Sequence, residues 1–167
     1  MTISELATYA GKDREALLYS GAKREGKVTW YTSLAGNSYK AVAQAFETKY
    51  PGVSVESYRV SGSDMTVRMM EESKAKRHIV DAVETTEGNL MMMRDLFLIR
   101  PYHSPHLPAY PEDAKARGER ALYFWGTARE SYIGFAYNTK LLPKDAIPKN
   151  YADLLHPALK GRMGVSV

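Results

Sequence analysis

The chain has no cysteine among its 167 residues, and this absence excludes disulfides, cysteine-based zinc sites and thiol nucleophiles. It has no run of about eighteen apolar residues either, so the sequence predicts no transmembrane helix. The first residues, Met1–Leu6, lack the basic start and the apolar stretch of a signal peptide. Such a start is typical of a cytoplasmic protein, or of a mature chain to which Met1 was added for expression.

Catalytic motifs are also missing. The sequence has no Gly-x-Ser-x-Gly, no phosphate-loop pattern and no Gly-x-Gly-x-x-Gly turn. Its histidines lie at predicted helix ends or in proline-rich segments, with no nucleophile beside them: His78, His103, His106 and His156. The spacing of His103 and His106 could suit a metal, but two histidines without cysteine and with a proline between them favour a surface loop. We therefore predict a non-enzymatic protein without a cofactor or metal site.

Positive charge is in modest excess and spread along the chain. Lys and Arg number 23 against 19 Asp and Glu, which gives a net charge of +4. The longest basic cluster, Lys74–His78, falls where a helix is predicted to end, and cations there interact favourably with the helix dipole. This placement favours a structural role over a nucleic-acid surface, so no nucleic-acid partner is predicted.

Strands and helices alternate through the first hundred residues. The patterns predict helices over 13–25, 38–50, 65–76 and 89–97, and strands over 27–32, 53–58 and 80–84. Gly26 and the pair Pro51–Gly52 provide clear stops. Alternation with crossovers of this length is typical of a parallel sheet covered by helices, so the predicted fold class is α/β.

The pattern changes after Leu98. A proline-rich loop over 99–111 precedes two predicted strands, 121–125 and 131–137. A short helix near 151–155 and a last strand over 161–167 follow. Because an apolar strand normally has neighbours on both sides, a chain that stops inside one is interpreted as truncated.

Five segments in this order resemble the type II periplasmic solute-binding proteins of ABC importers, in particular the ferric- and organic-anion-binding group. The segments are Glu25–Ser33, Ala45–Val53, Asp81–Thr85, Gly134–Leu142 and Tyr151–Gly164. The resemblance implies a periplasmic-binding-protein-like fold, a periplasmic location, a membrane permease as partner and two lobes that close over a ligand. It divides the chain into an N-terminal helical segment (1–26), a first lobe (27–142) and the start of a truncated second lobe (143–167).

Three polar loops follow the predicted strands at their carboxyl ends, where open α/β sheets bind ligands. Their candidate ligand-binding residues are Thr32, Ser33, Ser61, Gly62, Ser63, Thr85 and Thr86. Backbone N–H groups of such residues at helix N-termini suit an anion such as a carboxylate or a phosphonate. The same residue types are also ordinary helix caps and turn residues, so each loop by itself has this alternative.

Three more candidates surround the predicted strand over 131–137. Arg129 has a guanidinium suited to carboxylate or phosphate, and the resemblance implies a ligand-side arginine near this position. A hairpin arginine paired with Glu130 or solvent is the alternative. Trp125 and Tyr132 could stack on an organic ligand, although aromatic residues of strands more often lie in the core.

Two other functions remain open. Ferric-ion binding is disfavoured, because Leu34–Gly36 replaces the histidine implied by the resemblance and Thr86 replaces the carboxylate, with Glu87 one step away. The tyrosine pair of that group would lie beyond this chain. The other alternative is a truncated or engineered fragment that forms a homodimer through an exposed sheet edge without binding a ligand.

Overall fold

A computed structural model describes residues 2–132 and 134–164. The chain forms two compact units, Met1–Thr127 and Ala128–Val167. The sequence places boundaries after residues 26 and 142 instead, and that division into a helical segment and two lobes stays a prediction. In the described residues no helix is long and apolar enough to cross a membrane.

The first unit contains five α-helices and five strands among its described residues. The helices are α1 (Ile3–Thr8), α2 (Arg14–Glu25), α3 (Ser38–Lys49), α4 (Gly62–Lys74) and α5 (Glu87–Asp95). The strands are β1 (Lys27–Thr32), β2 (Ser54–Arg59), β3 (Ala82–Glu84), β4 (Lys115–Arg117) and β5 (Tyr123–Gly126). Helix α1 is not predicted from the sequence, because its six residues are too few for a periodic pattern; a Thr2–Glu5 capping box begins it.

The main sheet is parallel, with the strand order β2-β1-β3. Strand β1 pairs with β2 over its whole length and with β3 at its carboxyl half. Helix α2 contacts β1 and α3 contacts β2, while α4 and α5 pack together. The predicted α/β fold with a parallel sheet and flanking helices is therefore confirmed. Gly26 ends α2 with a left-handed φ of 77°, as its position in the sequence predicts.

A methionine-rich core lies where α4 and α5 meet the sheet. Its buried members are Tyr31, Met65, Met69, Leu90 and Met93. Of the run Met91–Met93 only Met93 is buried, which agrees with consecutive helix residues pointing in different directions. The triple methionine is thus explained by packing of one residue and needs no ligand role.

One of the two edge strands of the main sheet is β2. Glu47 on α3 accepts a hydrogen bond of 2.8 Å from the backbone N–H of Val55 on this strand. A carboxylate at an edge strand hinders pairing with a second chain. Self-association through a sheet edge stays a prediction, and this contact acts against it at β2.

A second, two-stranded antiparallel sheet joins β4 to β5. The predicted strand 121–125 begins only at Tyr123, because Ala121 has a φ of 60° in the turn that precedes it. Lys115 on β4 is buried, and its ammonium group donates to the carbonyls of Pro108 and Tyr110 at 3.1 and 2.6 Å. This lysine therefore anchors the proline-rich loop.

The second unit has no strand among residues 128–132 and 134–164. The strand predicted over 131–137 is wrong for the described residues: Phe135 instead packs edge-on against Tyr151 at 5.2 Å. A strand needs a partner for its backbone groups, and the described part of this unit offers none. The helix predicted near 151–155 is a 3₁₀ helix, Tyr151–Leu155. Residues 161–164 form no strand, and 165–167, the rest of that prediction, lie outside the described residues.

Candidate functional site at the strand ends

The carboxyl ends of the three parallel strands are aligned in one row. In the sheet register Thr32 of β1 lies opposite Arg59 of β2 on one side and opposite Glu84 of β3 on the other. The loops predicted to bind a ligand follow these residues directly. The register therefore brings all three loops to one edge of the sheet, as expected for a parallel sheet.

A hydrogen-bonded group ties β1 to β3 at this edge. The Thr32 hydroxyl donates to Glu84 Oε2 at 2.7 Å, and the Ser33 backbone N–H approaches the same oxygen at 3.1 Å. Thr32 is fully buried and also accepts from the Leu34 N–H at 3.1 Å. Its hydroxyl thus holds the strand ends in place, and Ser33, which is half-buried, is the member of this pair nearer to solvent.

The second loop is shorter than the sequence predicts. Ser61 is the N-cap of α4, and its hydroxyl accepts from the Asp64 N–H at 3.3 Å and donates to the Asp64 carboxylate at 2.7 Å. Gly62 and Ser63, placed in a turn by the sequence, belong to the first turn of the helix. The helix can begin at Gly62 because the Ser61 hydroxyl accepts a hydrogen bond from the Asp64 N–H in its first turn.

The third loop meets the second at close range. A Cβ atom added to Gly62 would lie 2.3 Å from Asn89 Nδ2 and 2.4 Å from Thr85 Oγ1, so any other residue here would displace these two side chains. Asn89 in turn donates to the Thr86 hydroxyl at 2.8 Å. The Thr85 hydroxyl is buried and has no hydrogen-bond partner among the described residues. The N-termini of α4 and α5 are therefore in contact.

Two helix N-termini give this edge a positive potential, which favours an anion. Asp64 and Glu87 in the first turns of α4 and α5 reduce that potential. Arg59 restores positive charge: it is exposed, and its Nε donates to the Leu34 carbonyl at 2.7 Å. Sequence reasoning missed Arg59, although its place directly after the predicted second strand was a usable signal.

A cation–π cluster fixes α4 against the sheet. The Arg68 guanidinium lies 4.0 Å from the ring centre of Tyr58 and 5.0 Å from that of Tyr31. Its Nε donates to the Tyr31 hydroxyl at 2.9 Å and to Glu72 Oε1 at 2.8 Å. Burial, followed by the Glu72 hydrogen bond, raises the pKa of Tyr31 above its ordinary value. These contacts join β1 and β2 to α4, whose N-terminus opens at the candidate site.

The remaining sequence candidates are Trp125, Arg129 and Tyr132. Trp125 on β5 is half-buried and packs against the methionine-rich core, as strand aromatics usually do. Arg129 and Tyr132 belong to the second unit and are exposed. Arg129 Nη1 donates to the Ser131 hydroxyl at 3.0 Å, and the Tyr132 hydroxyl donates to Glu130. Within the residues that the structure covers, no three side chains of His, Asp or Glu gather to hold a metal ion.

Comparison with known proteins gives three findings. Residues 86–167 match the family of bacterial extracellular solute-binding proteins. An uncharacterized protein of Haemophilus influenzae is 26% identical over 152 residues, which are 87% of this chain and 42% of that protein. The structure of Trichodesmium IdiA (FutA) in complex with iron and citrate ligands is 19% identical, with a TM-score of 0.46, and the match covers 59% of this chain and 30% of that chain.

The match spans less than half the length of the Haemophilus influenzae protein and of IdiA. The family match begins at Thr86, the N-cap of α5, and includes the segments Gly134–Leu142 and Tyr151–Gly164 that carry part of the resemblance. From the end of its third strand onward, the chain is thus similar to the bacterial extracellular solute-binding proteins, and this match supports the resemblance to the type II solute-binding proteins.

Proposed function

We propose that this chain supplies one half of the ligand site in the solute-binding component of an ABC importer, and that the ligand is a small anion. The aligned row of Arg59, Thr32 and Glu84 is the observation that carries the proposal. It supports a site because Arg59 itself supplies an exposed guanidinium and the N-termini of α4 and α5 follow the row. The activity is binding and not catalysis, in the periplasm, with a membrane permease as partner.

The ligand groups are assigned as follows. Ser33, Ser61, Ser63 and Thr86 have hydroxyl or N–H groups at or near solvent, and Arg59 supplies the charge. Thr32 and Gly62 act indirectly, since the first is buried and the second lets α4 approach α5. Arg129 and Tyr132 stay candidate ligand residues, while Trp125 is assigned to the core.

Ferric iron with an anion such as citrate, the pair of ligands present in the IdiA complex, is the second candidate. Glu84 favours it, because this residue places a carboxylate, a preferred ligand of hard cations, in the row of strand ends. Glu84 Oε2 already accepts two hydrogen bonds, from Thr32 and Ser33. A metal at this oxygen would have to compete with both donors.

Thermal-shift measurements with phosphonates, dicarboxylates, aromatic acids, citrate, Fe³⁺ and ferric citrate test both candidates. An anion that binds the folded chain stabilises it, by about 2.7 kcal/mol at a hundredfold excess over Kd. We expect Arg59→Gln to weaken the best anion roughly tenfold or more, because charge-assisted hydrogen bonds are the strong ones. Arg24→Gln on exposed α2 is the matched control and should change nothing.

Each outcome decides between the candidates. Stabilisation by citrate without metal supports the anion, and stabilisation that requires Fe³⁺ and is lost in Glu84→Gln supports iron. Equal affinity of Arg59→Gln and Arg24→Gln would contradict the assignment of Arg59. The same comparison with Arg129→Gln tests the sequence prediction for that arginine.

A further inference from the structure

A separate pocket of about 300 Å³ lies in the first unit, between α2, α3 and the proline-rich loop. Its apolar walls include Leu18, Ala22 and Val53. This volume is at the lower end of the range of about 300–1,000 Å³ for small-molecule sites. None of the residues that line it belongs to the loops at the strand ends. The pocket is therefore distinct from the candidate site above.

Three aromatic rings form one wall of this α2–α3 pocket. The ring centres of Tyr19 and Phe46 lie 5.4 and 4.9 Å from that of Tyr50. The Tyr19 hydroxyl donates to the Pro51 carbonyl at 2.7 Å, which fixes its ring. Rings held by packing and hydrogen bonds lose little conformational freedom when a ligand binds. The rings are tilted by 55° and 51° against that of Tyr50, so they form an angled, preorganised apolar wall that an aromatic ring can contact.

Two cationic side chains, Arg14 and Lys49, line the pocket and differ in the hydrogen bonds that they make. Lys49 is paired with Glu15 at 3.0 Å, and the Tyr50 hydroxyl donates to the same carboxylate oxygen at 2.8 Å. Arg14 differs: its Nε is buried and has no hydrogen-bond acceptor among the described residues. A buried donor without an acceptor is costly, so an acceptor at this position would be stabilised. His106 lines the same pocket and adds no negative charge.

We propose that the α2–α3 pocket binds a small organic carboxylate with an aromatic body, the ring lying against Tyr19, Phe46 and Tyr50 and the carboxylate accepting from Arg14. The apolar walls contact the aromatic body of the ligand. The Arg14 Nε–H, which has no acceptor among the described residues, donates to the carboxylate. Glu15 is neutralised by Lys49, so it does not repel a second carboxylate at the rim. A neutral ligand of the same shape leaves the Arg14 donor unsatisfied and binds more weakly.

Titration of the full chain with 3-phenylpropionate, followed by two-dimensional NMR, tests this proposal. We expect saturable shifts around Tyr19, Phe46 and Tyr50 with a Kd of about 1–10 mM, as for other fragments of this size. The alcohol 3-phenyl-1-propanol should bind roughly tenfold more weakly. Arg14→Gln should weaken the acid by a similar factor, whereas Arg24→Gln, the same change at an exposed position of α2, should not.

Three further variants test whether the ligand occupies this pocket and whether its binding is independent of the strand-end site. Ala22→Phe fills the pocket and should abolish binding, while Ala16→Phe adds the same ring to an exposed position of the same helix. Arg59→Gln should leave 3-phenylpropionate binding unchanged, so failure of either proposal is visible without the other. Absence of saturation, equal binding of acid and alcohol, or equal binding by the Arg14 and Arg24 variants would overturn the proposal. The comparison of acid with alcohol and the comparison of Arg14→Gln with Arg24→Gln test the proposal even if Ala22→Phe does not fold.

Discussion

The two units of this chain contain similar residue types but bury them very differently. The first unit buries large side chains completely, with Tyr31, Met65 and Met93 at most 1% exposed. In the described part of the second unit the buried hydrophobic residues are Ala146 and Leu159, while Tyr132 and Leu155 are 87% and 86% exposed. The side chains of the first-unit core come from β1, α4 and α5, which pack against one another. The difference indicates that packing acts together with the local residue pattern in deciding which segments become regular.

The largest test of this comparison removes one methionine from each unit. Met93→Ala deletes a fully buried side chain of the core and should lower the free energy of unfolding by about 2–5 kcal/mol. Met163→Ala makes the same change at a residue that is 55% exposed in the second unit, and should cost less than about 0.5 kcal/mol. Urea unfolding followed by circular dichroism measures both. Similar losses in the two variants would contradict the contrast in burial.

A smaller effect is expected from the lysine that anchors the proline-rich loop. Lys115→Met leaves the carbonyls of Pro108 and Tyr110 without their donor and should cost about 1–3 kcal/mol. Lys140→Met, in the second unit, changes an exposed lysine and should be nearly neutral. The same unfolding experiment applies, and hydrogen exchange of residues 107–110 should increase only in the first variant. A stable Lys115→Met protein with an unchanged loop would show that the buried ammonium group is dispensable.

Much of the first unit could be predicted from the sequence. Strand β1 has the predicted bounds, and α3 differs by one residue, because Gly26 and Pro51–Gly52 are local signals that do not depend on distant partners. The strand predicted over 131–137 is wrong for the described residues because that prediction depends on a distant partner. A strand forms only where another strand pairs with its backbone groups.

The candidate site was also predictable only in part. The rule for parallel sheets brought Ser33, Ser61 and Thr86 to one edge without any structural information. Side-chain roles needed the structure: the Thr32 hydroxyl is used internally, and Arg59 was overlooked in an exposed strand. The α2–α3 pocket could not be predicted, since its lining comes from segments as distant as Arg14 and His106.

The smallest expected effect concerns one carboxylate in each unit. Hydrogen bonds from Arg117 and then Lys115 lower the pKa of Glu112 to about 2. In the second unit, backbone N–H groups of Lys149 and Asn150 hold the pKa of Asp153 below its ordinary value. Both carboxylates therefore stabilise the folded chain above their ordinary pKa of about 4 and lose this contribution as the pH falls towards the folded value. Glu112→Gln should accordingly be less stable than wild type at neutral pH, and the difference should shrink as the pH falls towards 2.

Salt distinguishes the two carboxylates, because it screens ion pairs between exposed side chains far more than hydrogen bonds from backbone N–H groups. High salt should raise the pKa of Glu112 towards its ordinary value, since its partner Arg117 is charged and exposed. The pKa of Asp153 should change little, because the backbone N–H of Lys149 is its main partner. NMR titration of the two carboxyl groups at low and high salt measures both values in one sample. Equal salt responses would mean that the second unit holds its carboxylate by charge as the first unit does, and the contrast between the units would then be limited to burial.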